Sequence, residues 1–182
     1  MQLYCSVTRS LFSLLLLHPV APAYAQTDTT DKPASPPGPC AGAEYRQFDF
    51  WIGDWEVQSP DGKPAGTNRI TQILDGCVIQ ENWNGARGSS GTSYNIYDRT
   101  RRRWHQTWVD DQGSLLQLDG KLTNARMTLQ GETLDSSRRK LLQRITWERG
   151  GPARVRQLWE SSRDEGKTWT VVFDGRYKRR RR

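Results

Sequence analysis

The sequence predicts an all-β fold: a single domain built as an antiparallel up-and-down barrel of about ten strands behind a short N-terminal helix. Three observations carry this expectation. From Asp54 to Tyr177 the chain breaks into short segments that alternate large apolar with polar residues. Between them stand Gly, Asp, Asn and Pro in turn-forming combinations. No stretch of helical period separates them, so consecutive strands pair as a meander, and closure of the meander removes its exposed edges.

The elements follow in chain order. Arg9, the apolar run from Leu11 to Leu17, Pro19 and the small residues of Ala23-Tyr24-Ala25 read as a secretory signal over residues 1–25. The run is too short for the ~20 residues of a membrane span, and no later segment is apolar enough, so no transmembrane segment is expected. Cys5 lies ahead of the run, where it cannot become a lipid anchor. The mature protein is expected to be exported, periplasmic or extracellular. Residues 26–39, QTDTTDKPASPPGP, have no apolar cluster and read as a disordered linker. Cys40 and Cys77 are the cysteines that survive removal of the signal, and in an oxidising compartment they are expected to pair.

The barrel domain spans residues 40–177. It opens on FDFWIGDWEV, Phe48 to Val57, where four aromatic rings surround a Gly-Asp break. A short helix is expected around residues 44–51. Strands follow at about 54–59, 67–73, 77–84, 92–98, 103–110, 114–119, 122–130, 139–148, 153–161 and 168–177. The turns include Pro60-Asp61-Gly62-Lys63, Asp75-Gly76, the Gly-Ser run 85–91, Asp110-Asp111-Gln112-Gly113 and Asp119-Gly120.

Alternation selects an inner face. The inward sets are Cys77, Ile79, Glu81, Trp83; Ser93, Asn95, Tyr97; Trp104, Gln106, Trp108; Leu141, Gln143, Ile145, Trp147; Val155, Gln157, Trp159; and Trp169, Val171, Phe173. All but the last mix an amide or acid with large apolar groups. A buried polar group without a partner costs a few kcal/mol, so several together imply an internal hydrogen-bond network or a cavity that holds water or ligand. The alternative is a register slip of one residue in some strands, which turns the same polar groups outward.

The formal charge is +7. Five cations stand together in the terminal run 178–182, and without them and Arg9 the domain is nearly neutral. The basic tail reads as a solvated end or as a weak contact for a polyanion or anionic surface. No aromatic-interleaved basic face accompanies it, so nucleic acid is not an expected partner.

FDFWIGDWEV, GCVIQENW, SYNIYD, RWHQTWVDDQG and WESSRDEGKTWTVVFDGRY, in that order, resemble a family of uncharacterised bacterial exported domains with barrels similar to the lipocalin and nitrobindin groups. The resemblance covers about Cys40 to Tyr177. It implies a calycin-type barrel with an internal pocket and no established activity. Ser162 to Trp169 also resembles the S-x-D-x-G-x-T-W Asp-box of sialidase-like propellers. With one copy and no blade repeat, it reads as a braced hairpin.

The leading functional expectation is a non-catalytic module binding a small amphipathic or aromatic molecule. Its candidate ligand-binding set is Glu81, Trp83, Asn95, Tyr97, Trp104, Gln106, Trp108 and Gln157: rings for apolar surface, amides for orientation. A barrel enzyme using Glu81 for proton transfer is the alternative. No second titratable group of defined geometry accompanies Glu81, and Ser89 and Ser90 lack an activating partner. A surface-interaction domain without a pocket ligand is the third class. No metal cluster is evident, and no cofactor is expected. Heme would need an axial ligand, which only His105 offers in the mature chain, and alternation turns His105 away from the lumen.

Overall fold

The computed structural model describes residues 38–180, with Gln2 alone ahead of them. Apart from Gln2, the expected signal segment lies outside the described residues, as do most of the expected linker, Arg181 and Arg182.

Ten strands form one closed barrel: β1 Gly53–Gln58, β2 Pro64–Ile73, β3 Val78–Gly85, β4 Ser90–Asp98, β5 Arg103–Asp110, β6 Leu115–Thr123, β7 Arg126–Leu134, β8 Lys140–Arg149, β9 Arg154–Ser162 and β10 Thr170–Arg179. Each strand pairs antiparallel with its chain neighbours, and β10 returns to β1 with Trp55 opposite Arg179 and Val57 opposite Tyr177. Closure leaves every strand with two partners. Along β8 the pleat puts Gln143, Ile145 and Trp147 inside and leaves Arg144 outside, paired with Glu160 of β9 at 2.9 Å.

The expected helix is two 3-10 turns, Ala43–Arg46 and Asp49–Trp51, broken at Phe48. Together they seal one end of the barrel. Phe48 and Trp51 are fully buried and stacked at 5.0 Å between ring centroids, and Phe48 meets Trp104 and Trp147 edge-on at 5.6 and 5.1 Å. The Trp55 indole N–H donates to the Trp51 carbonyl at 2.8 Å, which fixes the step from cap to β1. Truncating a buried ring of this kind to alanine costs about 3–5 kcal/mol. Cys40 and Cys77 are bonded, with Cα atoms 5.1 Å apart across 37 residues of sequence, so the cap is tied to the β2–β3 turn. A loop of that length stabilises by about 3–4 kcal/mol on the chain-entropy estimate.

Three placements differ from the sequence reading. The turn between β6 and β7 is Asn124-Ala125, both at positive φ (50° and 61°), and not Asp119-Gly120. Gly120 lies within β6, where a Cβ would stand 1.9 Å from the Thr128 carbonyl oxygen. That glycine serves close backbone approach rather than chain reversal. In β10 a bulge at Val172 shifts the register between Val171 and Phe173. Phe173 and Tyr177 therefore face inward, whereas Val171 is 57% exposed. Trp169 precedes the strand and lies under the Arg144 guanidinium at 3.8 Å on the outer wall, so the inward set Trp169, Val171, Phe173 holds only for Phe173.

The basic run is the third. Lys178 and Arg179 are the last residues of β10, two beyond the expected end of the barrel. The Arg179 guanidinium donates to the Ile52 carbonyl at 2.8 Å and sits 4.6 Å from the centre of the Trp55 ring, and the Arg180 N–H donates to the Asp54 carbonyl at 2.9 Å.

Candidate functional site

Opposite the aromatic cap, the barrel holds a cavity of about 210 Å³ lined by residues of β3, β5, β6, β8, β9 and β10. Its walls are Trp83, Trp108, Trp159 and Phe173 with Leu116, Ile145 and Val172; its polar groups are Glu81, Gln106, Gln157 and Tyr177. Trp83 and Phe173 meet edge-on at 5.7 Å, and the Trp159 indole N–H is fixed by the Gln143 carbonyl oxygen at 2.7 Å. The volume lies between the ~150 Å³ hollow that holds a benzene ring and the ~300 Å³ where drug-sized sites begin. A wider outer hollow of about 530 Å³ shares Trp108, Leu116 and Trp159 with it and reaches Leu115, Leu134 and Leu141.

The polar floor is a continuous network centred on Glu81. Ser93 Oγ donates to Glu81 Oε2 at 2.7 Å, and Asn68 Nδ2 donates to Glu81 Oε1 at 2.6 Å. The second hydrogen of Asn68 Nδ2 goes to the Tyr177 hydroxyl at 3.1 Å, and that hydroxyl donates to Gln157 Oε1. On the other side Asn95 Nδ2 donates to Ser93 Oγ at 3.0 Å and to the Ile79 carbonyl at 3.1 Å, while Gln106 Nε2 donates to Asn95 Oδ1 at 2.9 Å. Pairing positions these groups: Glu81 stands opposite Ser93, Asn95 opposite Gln106, and Ile70, two residues beyond Asn68, opposite Glu81. Such a chain of buried donors gains by mutual polarisation.

Among the described residues no positive charge answers Glu81. Burial pushes its carboxyl up to about 7, against the opposing pull of the Ser93 and Asn68 hydrogen bonds, with no cation contributing. The Tyr177 hydroxyl is driven well above its ordinary range by burial and by the neighbouring Glu81. Asn68 Oδ1 is buried without a partner.

Of the eight sequence candidates, Glu81, Trp83, Gln106, Trp108 and Gln157 line the cavity. Three stand elsewhere. Asn95 is fully buried one layer behind, bonded to Gln106. Trp104 belongs to the sealed end, where its indole donates to Gln47 at 3.1 Å. Tyr97 packs there against Tyr45 at 5.4 Å. Asn68, Ser93 and Tyr177 were not among the candidates. Ser93 alternates with Asn95 and Tyr97, and Asn68 with Ile70, so the signal for both was the phase of their strands. Tyr177 shares the phase of Phe173 along β10, so its signal too was alternation.

His105 lies on the outer wall, with Nδ1 2.9 Å from Asp119 and Nε2 2.9 Å from Thr107, and presents neither nitrogen to the cavity. The Asp-box segment is a braced hairpin: Asp164 accepts from Thr168 Oγ1 at 2.5 Å, from the Thr168 N–H at 2.8 Å and from Ser162 Oγ at 2.7 Å, which holds its carboxyl down at about 2. Among the described residues no group of His, Cys, Asp and Glu is arranged to hold a metal, and no helix is long and apolar enough to cross a membrane.

Compared with known proteins, the chain matches no protein-family model and no curated protein sequence.

Proposed function

We propose that this chain is an exported small-ligand-binding barrel of the calycin type, and that its ligand is a small amphipathic or aromatic molecule. One observation carries the reading. The cavity has three indoles and a phenyl ring for walls, and its floor leaves Gln106 Oε1 and Gln157 Nε2 without a partner among the described residues. Rings provide rigid apolar area, and the free amide atoms provide orientation. Calorimetric titration with phenol and benzyl alcohol tests it. Saturable heat is expected, abolished by Val172→Trp, which introduces an indole at the half-exposed lip of the cavity. Heat unchanged in that variant, or absence of saturable heat from these probes and from small amphipathic amines alike, refutes the reading.

A second reading, in which Glu81 shuttles a proton during catalysis, is favoured by its carboxyl titrating at about 7 where it meets the cavity. A probe chemically altered by the wild type and left intact by Glu81→Gln supports that reading, and recovery of every probe unaltered refutes it.

A further inference from the structure

Resting on the binding reading, we infer that the ligand is an organic ammonium ion, its cationic head held among Trp83, Trp108, Trp159, Phe173 and Tyr177 against the Glu81 carboxylate. The argument begins with an imbalance of charge. Glu81 is 3% exposed, yet none of the ion pairs among the described residues includes it. The groups that face it are neutral: Asn68 on β2, Ser93 and Asn95 on β4, Gln106 on β5, Gln157 on β9 and Tyr177 on β10. A buried charge without a partner is either neutralised by a proton or completed from outside. The cavity opens onto Glu81, so a ligand can supply the missing positive charge.

The walls select the same chemistry. Aromatic faces carry negative potential, and several around one point make a cage for a cation, most of all an alkylated ammonium whose hydration shell is easily shed. Anionic ligands are repelled by the carboxylate. A neutral ligand uses the rings but leaves the acid unanswered. A cavity of about 210 Å³ admits a trimethylammonium head or a single ring with a short amine arm.

Choline and 3,3-dimethylbutan-1-ol test the assignment, because they share a shape and differ by one permanent positive charge. Calorimetry at pH 8 is expected to show choline binding at least tenfold more tightly, and Glu81→Gln to erase that preference. A second measurement uses the unmodified protein alone. With the Glu81 carboxyl at about 7, its ionised fraction falls roughly tenfold from pH 8 to pH 6, so choline affinity falls by about that factor and protons are released on binding. The Tyr177 hydroxyl stays neutral throughout this interval. The neutral alcohol is expected to show a flat profile.

Equal or tighter binding of the alcohol, or a choline affinity independent of pH, overturns the ammonium assignment. If choline fails while phenol binds, the assignment falls and the binding reading stands. If choline, the alcohol and phenol all fail, both fall.

Discussion

Glu81→Gln isolates the energetic cost of the buried carboxyl. In the folded chain this group titrates at about 7, against an ordinary value of 4.5. The folded state therefore keeps a proton that the unfolded state has already lost, and stability falls as pH rises through that interval. With each pH unit of displacement worth 1.36 kcal/mol, the loss between pH 4.5 and pH 7.5 is about 3 kcal/mol. For a domain of this size that is roughly a 10 °C fall in Tm. Glutamine resembles the protonated acid, and Asn68 Oδ1, which has no partner, can accept the new amide hydrogen after rotation of either side chain. The variant is thus expected to lose most of the slope and to be more stable than wild type at pH 8. The carboxyls held down at about 2, Asp98, Asp135 and Asp164, act in the opposite sense and well below this window, so they do not mask it. Urea titrations of both proteins from pH 4.5 to pH 8 provide the assay. Parallel stability profiles would refute the assignment of the slope to Glu81.

Four further outcomes can be measured by thermal or urea unfolding. Arg179→Ala is expected to cost about 1–2 kcal/mol, through the Ile52 hydrogen bond and the stacking on Trp55. Deletion of residues 178–182 is expected to cost more, and a neutral result would show that β10 ends functionally at Tyr177. Gln106→Leu is expected to destabilise by about 1–3 kcal/mol, because it strands Asn95 Oδ1; an unchanged midpoint would mean that water takes the place of the amide. Ala125→Gly is expected to stabilise by about 1 kcal/mol, since Ala125 holds a left-handed conformation at φ 61°, and a loss of stability would contradict that account.

The barrel was legible because alternation and turn chemistry agree over most of the chain, and the disulfide because only two cysteines stand beyond the expected signal segment. The errors have local physical causes. Asp119-Gly120 has the composition of a turn, but its glycine is needed for close backbone approach, while Asn124-Ala125 makes the reversal with a residue that carries little turn signal. The bulge at Val172 breaks the alternation of β10, so one phase carried through the whole strand is right after the bulge, at Phe173 and Tyr177, and wrong before it, at Trp169 and Val171. Charge concealed the strand at Lys178 and Arg179, although the Arg179 guanidinium reaches to Ile52 and Trp55 at the sealed end. Within the site, alternation separates inward from outward residues but carries no information on depth. Trp104 and Trp108 share a face of β5, yet one packs beneath the cap and the other lines the cavity.

The closed aromatic end has a further consequence for any guest. With Phe48 and Trp51 filling the base, the barrel is a blind tube rather than a conduit, and a molecule that goes in must back out by the same route. The acid sits deep, and the hollow beyond the tryptophans widens to about 530 Å³ between Leu115, Leu134 and Leu141. On the ammonium assignment, a guest would enter head first and leave its trailing part in the mouth. Selectivity is concentrated at the leading end, and compounds that differ only in their tails should be accepted alike.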